Sequence, residues 1–327
     1  MKRIGIFIII VCFIALNLSG CREAVEDSEI PARIIFGFSQ LGDESEWRTA
    51  SSNDIRRAAE EAEDVQFMFD NAKQQQFNQI KAIRSFILKG VDIIAFSPIV
   101  EEGWDNVLME AQAAEIPVIV VDREIQTDSE GLYSAFIGSD FHNEGVKAGE
   151  WMVERFAEAE GPVRVAEIRG TDNATPSIGR YYGVREAFAD NPKFEIVYST
   201  DGDFMRSKGK ERMVEILEET PDIDILYAHN DDMALGAIEI MEEHGITPGK
   251  DIIVVSVDAQ TSGLEALRQG KINCLVECSP YIGDDLITLV LKIMNGEPYQ
   301  EKTFTVTRVF TDKDDFGTLP VRPVFNR

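Results

Sequence analysis

The chain has 327 residues, with 58 acidic and 32 basic side chains and a formal net charge of −26 at pH 7. Such an acidic surface repels phosphate backbones, which argues against a nucleic-acid partner. Hydrophobic residues make up 44% of the chain, an ordinary share for a soluble globular protein. This length favours two domains.

Residues 1–20 have the pattern of a secretory signal. Two basic residues precede an apolar run from Ile4 to Leu16, and small residues then lead directly to Cys21. The run is shorter than the roughly 20 residues of a membrane-spanning helix, which argues against the alternative of a retained anchor. We predict a lipoprotein signal at 1–20, lipidation of Cys21 and a charged tether over 21–32. The protein would then work at the periplasmic or extracellular face of the cell envelope.

From residue 33 onward, short β-branched runs alternate with amphipathic helical segments. Runs such as IIVVSVD are apolar throughout, as strands buried between two helical layers must be. This alternation predicts right-handed βαβ units and parallel sheets. The predicted strands are Ile34–Ser39, Val65–Asp70, Asp92–Ser97, Val118–Asp122, Val163–Arg169, Ile196–Ser199, Ile223–His229 and Ile252–Asp258.

These strands are too many for one small sheet, and the sequence indicates two similar lobes. Segments 90–111 and 222–241 both run from a strand through a polar loop into a helix. We predict an α/β fold of two Rossmann-like lobes with parallel sheets, joined by a hinge. The predicted bounds are 33–136 plus about 280–303 for the N-terminal lobe, and 137–279 plus about 304–327 for the C-terminal lobe. The expected crossings lie near Ser134–Asp140, Asp258–Gly263 and Cys278–Tyr281, and FTVTRVF at 304–310 is expected to be strand-like.

Two cysteines, Cys274 and Cys278, remain once the signal is removed and Cys21 carries lipid. On one straight strand they would lie roughly 13 Å apart, too far for a disulfide. We expect two buried, inert thiols, and a disulfide only if the chain bends between them.

Polar and aromatic side chains recur where the predicted strands end. Open α/β sheets bind ligands at the carboxyl ends of their strands, so these side chains are expected to share one cleft. Arg, Asp and Asn can bond neighbouring hydroxyls in pairs, while Trp and Phe pack on the C–H face of a sugar ring. One such residue alone would be read as a surface ion pair or a helix cap, but many on one rim indicate a site. The candidates are Ser39, Glu44, Trp47, Arg48, Asp122, Arg123, Thr171, Arg180, Asp203, Phe204, Asn230 and Asp258.

The sequence predicts neither a metal site nor an enzyme. Its three histidines, His142, His229 and His244, lack the mutual spacing of zinc ligands. No G-x-S-x-G elbow, C-x-x-C motif or P-loop is present. DKDDFG at 312–317 begins like a calcium loop, but Phe316 stands where an oxygen ligand is needed, so we interpret it as an acidic turn. We expect no catalytic residue and no cofactor.

Several motifs are similar to those of one known family. They are GFSQLGDESEWR, QQFNQIKAIRSF, IPVIVVDR, GDFMRSKGK, LYAHNDDMALGAI and PGKDI. From about Ile34 to Phe310 the chain resembles the periplasmic sugar-binding proteins of ribose/galactose type, which serve ABC importers, and looks closest to galactofuranose binders. The resemblance implies a periplasmic binding protein of type I, whose two lobes close on a monosaccharide like a Venus flytrap.

The resemblance also implies roles for single residues. Trp47 and Arg48 would be the stacking and hydroxyl contacts of the first lobe, and Asp122 and Arg123 match the family's Asp-Arg pair. Arg180 matches an arginine that crosses from the second lobe, and Phe204 an aromatic side chain that packs on the ring. Asn230 and Asp258 would accept from hydroxyls. Glu277 stands near a position where ribose binders carry glutamine. The ribose binders have paired phenylalanines where this chain has Glu46 and Trp47, which argues against ribose itself.

We therefore expect a monomeric, lipid-anchored protein that binds a monosaccharide, galactofuranose or a related sugar, and delivers it to ABC permease subunits. The alternative is a sugar receptor that reports to a membrane sensor kinase or chemoreceptor, since the same cleft would serve both. Sugar-responsive repressors share this fold but carry basic DNA-binding helices, whereas this chain begins with a lipobox.

Overall fold

Strands and helices alternate through the part of the chain that the structure, a computed structural model, describes: residues 33–323. The predicted signal, the tether and the lipidation site Cys21 lie outside the described residues. Within 33–323, no helix is long and apolar enough to cross a membrane.

The elements follow the predicted order. The strands are β1 (Ile34–Gln40), β2 (Val65–Asn71), β3 (Ile93–Phe96), β4 (Val118–Asp122), β5 (Ala135–Gly138), β6 (Val163–Arg169), β7 (Phe194–Asp201), β8 (Ile225–Ala228), β9 (Ile253–Asp258), β10 (Cys274–Glu277), β11 (Lys302–Phe304) and β12 (Val309–Thr311). The helices are α1 (Glu46–Glu61), α2 (Gln76–Lys89), α3 (Asp105–Ala113), α4 (Phe141–Arg155), α5 (Thr175–Phe188), α6 (Arg206–Glu219), α7 (Asp231–Glu243), α8 (Thr261–Arg268) and α9 (Gly283–Met294), with a short 3₁₀ turn at Phe316–Thr318.

The strands form two six-stranded sheets, one in each lobe. The first has the order β11-β5-β4-β3-β1-β2 and is parallel throughout. The second has the order β12-β10-β9-β8-β6-β7, in which the edge strand β12 runs antiparallel to β10. The predicted α/β fold of two lobes with parallel sheets is confirmed.

Each sheet is buried on both faces, which explains the continuous apolar runs. In β3, Ile93 and Ala95 belong to one core cluster, whereas Ile94 and Phe96 belong to the cluster on the other side. Neighbouring strand residues point to opposite faces, so both sets must be apolar when helices cover both faces. All four side chains are fully buried.

The chain crosses between the sheets in the short segments 139–140, 278–282 and 305–308. The crossing expected at Asp258–Gly263 is wrong, because this segment joins β9 to α8, and α8 packs on α7 and β10 of the same lobe. The strand-like segment 304–310 is strand only at its two ends, which belong to β11 and β12. Its alternation of threonine and valine is typical of a strand, but the backbone changes partners within it. The N–H of Thr305 bonds to Gly138 in the first sheet, and the carbonyl of Arg308 bonds to Glu277 in the second.

Both described cysteines are buried and free. Cys274 begins β10, and Cys278 is the first residue of the second crossing. The expectation of two buried thiols is confirmed.

Candidate functional site

A cavity lies between the lobes, next to the carboxyl ends of β4 and β9. About 300 Å³ of space there, including part that is open to solvent, is not filled by atoms. Both lobes line it, with Glu44, Ser45, Trp47, Arg48, Asp122, Arg123, Phe141, Pro176, Arg180, Phe204, Asn230, Asp258 and Cys278.

The start of α1 brings two side chains to the cavity. The hydroxyl of Ser45 accepts a hydrogen bond from the N–H of Arg48 at 3.1 Å and so caps the helix. Trp47 and Arg48 therefore lie in the first turn, and both are buried. The guanidinium of Arg48 stands 4.6 Å from the centre of the Trp47 ring.

Arg48 is the centre of a buried charge network in the first lobe. Its Nη1 lies 2.8 Å from the carboxylate of Asp122, and its Nε lies 3.3 Å from that of Glu44. Ser97 accepts from Arg48 at 3.1 Å and donates to Asp122 at 3.2 Å. Burial works against the charge of Arg48, but Asp122 and Glu44 outweigh it and raise the pKa of the guanidinium.

Arg123 lies in the same network with fewer partners. Its Nη1 donates to the carbonyl of Ile99 at 3.0 Å, and its Nε is 3.8 Å from Asp122 with no hydrogen-bond partner. Burial, followed by the nearby charge of Arg48, lowers the pKa of Arg123 to about 10. The Oε2 atom of Glu44 is likewise buried and unpartnered. Since buried polar atoms normally have partners, the cavity offers a donor and an acceptor to a ligand.

The second lobe contributes Arg180 from α5. Its Nε donates to Glu144 of α4 at 2.9 Å, its Nη1 donates to the carbonyl of His229, and its Nη2 lies 3.9 Å from Asp258. The backbones of α4 and α5 touch here, because a Cβ at Gly145 would stand 2.5 Å from the carbonyl oxygen of Arg180. Glycine at 145 thus allows the approach that brings Glu144 and Arg180 together.

Burial and neighbouring charges shift the pKa values of these groups. Burial opposes the charge of Arg180, but Glu144 and then other negative neighbours outweigh it, so the pKa of the guanidinium is raised. Burial also raises the pKa of Glu144, against the effect of Arg180. The pKa of Asp258 is raised by burial and then by the charge of Asp231. Arg180 therefore stays charged among carboxyl groups that burial makes easier to protonate.

Three aromatic rings belong to the lining: Trp47 from the first lobe, and Phe141 and Phe204 from the second. The indole N–H of Trp47 donates to the carbonyl of Cys278 at 2.7 Å, which ties the ring to the second crossing. Phe204 follows β7, and its carbonyl accepts from the Asn230 amide at 3.2 Å. The guanidinium of Arg123 stands 5.3 Å from the centre of the Phe204 ring, across the boundary between the lobes.

The lobes also touch outside the cavity, where three helices begin. The N–H of Glu46, the first residue of α1, donates to the carboxylate of Asp232 in α7 at 2.7 Å. The hydroxyl of Ser262 in α8 donates to the carboxylate of Glu46. We call these two hydrogen bonds the interlobe latch. Both bonds join the first lobe to the second.

The structure brings most of the predicted site residues together. Those that line the cavity are Glu44, Trp47, Arg48, Asp122, Arg123, Arg180, Phe204, Asn230 and Asp258. The predicted residues outside the lining are Ser39, Thr171, Asp203 and Glu277. Ser39 is fully buried, Thr171 and Asp203 are half-buried, and the carboxylate of Glu277 pairs with Arg308 and Arg322.

Sequence reasoning missed four lining residues: Ser45, Phe141, Pro176 and Cys278. Cys278 directly follows β10, so the strand-end rule that selected Asp258 could have found it. Ser45, Phe141 and Pro176 lie at helix starts, where a sequence pattern alone does not separate a cap from a ligand contact. In the described part of the chain, no group of three or more His, Cys, Asp or Glu side chains could hold a metal ion.

Comparison with known proteins places these features in one family. A family model described as a periplasmic binding protein domain matches residues 36–298. The galactofuranose-binding protein YtfQ of Escherichia coli (strain K12) is 39% identical over 297 residues, which cover 90% of this chain and 92% of that protein.

Solved structures show the same likeness. A Mycobacterium smegmatis protein in complex with β-D-fucofuranose is 47% identical, with a TM-score of 0.84 and coverage of 85% of this chain and 91% of that one. The periplasmic binding component of the arabinose ABC transporter from Shewanella sp. ANA-3, bound to α- and β-L-arabinofuranose, is 41% identical, with a TM-score of 0.82 and coverage of 85% and 92%.

These relatives confirm the resemblance to periplasmic sugar-binding proteins of ribose/galactose type. The E. coli relative is by name a binding protein and the Shewanella protein a transporter component, so the prediction that this chain is not an enzyme is confirmed as well. With a family model over most of its length and a relative this similar, the chain belongs to the periplasmic binding protein family.

Proposed function

We propose that this protein is an extracytoplasmic lipoprotein that binds a monosaccharide in its furanose ring form and delivers it to an ABC importer. The observation that carries the proposal is the cavity itself. Buried arginines and carboxylates from both lobes meet there with three aromatic rings. Hydroxyls of a sugar both donate and accept, so a small neutral ligand of this kind matches the mixed lining.

The unpartnered atoms of the first lobe support a hydroxylated ligand. Glu44 Oε2 can accept from one hydroxyl, and Arg123 Nε can donate to another. A buried polar atom without a partner costs about 1–3 kcal/mol, and a bound hydroxyl would remove that cost. Trp47 and Phe204 would cover the C–H surface of the ring.

The furanose form is proposed from the relatives. The names of three of them give galactofuranose, β-D-fucofuranose and L-arabinofuranose as their ligands. Residues of this chain at the cavity would carry the same recognition, with Asp122 and Asp258 as acceptors and Arg48, Arg123 and Arg180 as donors.

Calorimetry with a set of sugars tests the proposal. We expect binding for at least one of L-arabinose, D-fucose and D-galactose, and much weaker binding of D-ribose. ¹³C NMR of the bound sugar, labelled at the anomeric carbon, then identifies the ring form. A bound pyranose would overturn the furanose assignment, and failure of the whole set would overturn the sugar assignment.

A pair of variants ties binding to the cavity. Glu44→Gln keeps the size of the side chain and removes the charge next to Arg48, so we expect weaker sugar binding. Glu63→Gln is the matched control, because Glu63 is exposed and precedes β2 at the opposite edge of the sheet. Equal affinities of the two variants would place the sugar elsewhere.

The lipid anchor and the importer need separate tests. We expect Cys21→Ser to release the protein from the membrane while the domain still folds and binds sugar. Recovery of this variant in the membrane pellet would mean an uncleaved anchor. Stimulation of sugar-dependent ATP hydrolysis by a permease complex in vesicles would establish the importer role, whereas a response of a sensor kinase alone would establish the receptor alternative.

A further inference from the structure

Phe204 reaches the cavity from a backbone conformation that bulky residues rarely adopt. Asp203 and Phe204 both have positive φ, at 53° and 60°. Such left-handed residues persist where the surrounding structure holds them, and they concentrate at functional sites. Here the carbonyl of Phe204 is held by the amide of Asn230 at 3.2 Å. The direction of the ring is therefore set by the loop.

The first lobe repeats this loop without the ring. Lys73 and Gln74 follow β2 as Asp203 and Phe204 follow β7, with φ of 52° and 58°. The left-handed pair is thus common to both lobes. What distinguishes the second lobe is the aromatic ring at the second position of the pair.

The ring of Phe204 lies directly against the backbone of Gly170, the first residue after β6. A Cβ at Gly170 would stand 1.8 Å from Cζ of the ring and 2.2 and 2.3 Å from its Cε atoms. Carbon atoms pack at about 3.5–4.0 Å, so even a methyl group would displace the ring by roughly 1.5 Å. The φ of Gly170 is not in the left-handed region. Space, not backbone conformation, requires glycine here.

The Phe204 ring can move toward the cavity. Ala174 and Met233 belong to the same packed core cluster as Phe204, which leaves the ring little space on the core side. In front, Arg123 lies 5.3 Å from the ring centre. Phe204 and Arg123 line the cavity, whereas Gly170 does not. A ring pushed off Gly170 therefore moves toward Arg123 and takes space from the ligand.

We infer that Gly170 is a positioning residue for the ligand, because it sets how far the Phe204 ring projects into the cavity. This inference rests on the proposed function, in which Phe204 packs on a sugar ring. Gly170 itself touches no sugar and acts through Phe204.

The test is a double-mutant cycle read by calorimetry with the tightest-binding of L-arabinose, D-fucose and D-galactose. Gly170→Ala is expected to weaken binding by about ten-fold or more, because the displaced ring takes space from the sugar. In the Phe204→Ala background the same change should alter affinity by less than about two-fold, because the ring is gone. Gly161→Ala is the matched control, since a Cβ there meets nothing within 4 Å, and should leave affinity unchanged.

Two calorimetric results would overturn the inference. One is unchanged affinity of Gly170→Ala, and the other is an equal loss of affinity with and without the Phe204 ring. Crystal structures of the sugar-free wild type and Gly170→Ala supply a second measurement. We expect the ring displaced into the cavity in the variant. A ring that stays in place would also overturn the inference. If no sugar binds the wild type, the proposed function fails, and the ring displacement alone still decides the role of Gly170.

Discussion

The nearest charged partner of Asp122 is Arg48, at 2.8 Å, and not its chain neighbour Arg123, at 3.8 Å. The sequence favoured Asp122 and Arg123 because they are adjacent at the end of a predicted strand. Arg48 reaches Asp122 from α1, across the carboxyl edge of the sheet. Consequently Asp122 neutralises a buried charge within the first lobe before any ligand arrives, and Arg123 keeps a free Nε atom.

This pairing predicts where the coupling energy lies. Asp122→Asn should lower the free energy of unfolding by about 3 kcal/mol, because Arg48 would stay buried without its main counter-charge. Asparagine tolerates the left-handed backbone of position 122, where φ is 68°. Denaturant unfolding of a double-mutant cycle with Arg48→Met should show strong coupling. The matched cycle of Asp122→Asn with Arg123→Met should show less, and the reverse order would contradict the assignment.

Trp47→Ala is expected to weaken sugar binding by about 1–3 kcal/mol, the scale of one large buried apolar side chain. Trp47→Phe keeps a ring but loses the indole hydrogen bond to Cys278, so its affinity should fall between those of the wild type and Trp47→Ala. Calorimetry checks the order. Trp151→Phe serves as the control, since Trp151 lies on α4 and does not line the cavity. Unchanged affinity of Trp47→Ala would assign the ring to core packing alone.

Because Asp231 is buried, we expect the free energy of unfolding to depend on pH near neutrality. Burial raises the pKa of its carboxyl to about 7, although Ser256 and the N–H of Gln260 bond to it. Also facing it are Glu46, Asp232 and Asp258. Because the folded chain binds this proton more tightly than the unfolded chain does, the stabilisation is complete below about pH 4 and is lost as pH rises through about 7.

Asp231→Asn removes the titrating carboxyl group and, with it, the charge that raises the pKa of Asp258, so the comparison reports on this coupled pair. Between pH 5 and pH 8, the free energy of unfolding of the wild type should fall by about 2–3 kcal/mol more than that of Asp231→Asn. Chemical denaturation at a series of pH values checks it. His229, whose pKa is lowered by burial, is present in both proteins and cancels in the difference. Parallel pH profiles would show that Asp231 is not the group that titrates.

The buried end of the described chain predicts a stability effect. Arg322 donates to Glu277 at 2.8 Å and to the carbonyl of Ala259 at 2.9 Å, and only 5% of its side chain is exposed. Arg308 also pairs with Glu277, but 53% of its side chain is exposed. Although burial opposes it, the two arginines hold the pKa of Glu277 below its usual value.

Arg322→Ala should lower the free energy of unfolding by about 1–3 kcal/mol, since it leaves a buried carboxylate and carbonyl short of a donor. Arg308→Ala is the control and should cost less, because exposed ion pairs contribute little. Thermal unfolding of both variants checks the order. If Arg322→Ala instead left the free energy of unfolding unchanged and reduced sugar affinity, Glu277 would be assigned to ligand binding, as its sequence position suggested.

Much of the fold was predictable because burial on both faces leaves a clear pattern. Strands such as β4 and β9 are apolar at nearly every position, so their bounds came within a residue or two. The interruption of the strand-like segment 304–310 was not predictable, because residues that cross between sheets can alternate like a strand. Two backbone hydrogen bonds divide this segment between the sheets. One partner, Gly138, is more than 150 residues away in sequence, and the other, Glu277, is about 30 residues away. A local sequence pattern does not identify such distant backbone partners.

The site was predictable to the extent that it follows strand ends. That rule placed Asp122, Asn230 and Asp258 at the cavity. It could not find Glu144, which lies in the first turn of α4 and contacts the lining residues Arg180 and Cys278. Nor could this rule show that Ser39 lies outside the lining. The direction of a side chain at a strand end depends on how the chain turns there.

The interlobe latch has a consequence for how long a sugar is retained. Its bonds join Glu46 to Asp232 and Ser262 without involving the residues that line the cavity. They therefore favour closure in the empty protein as well as in the loaded one. Apparent affinity scales with the closed fraction, so a tenfold drop in that fraction costs about tenfold in binding to every sugar alike. A change in the latch can thus alter the retention of all sugars together, while the cavity residues keep the preference among them.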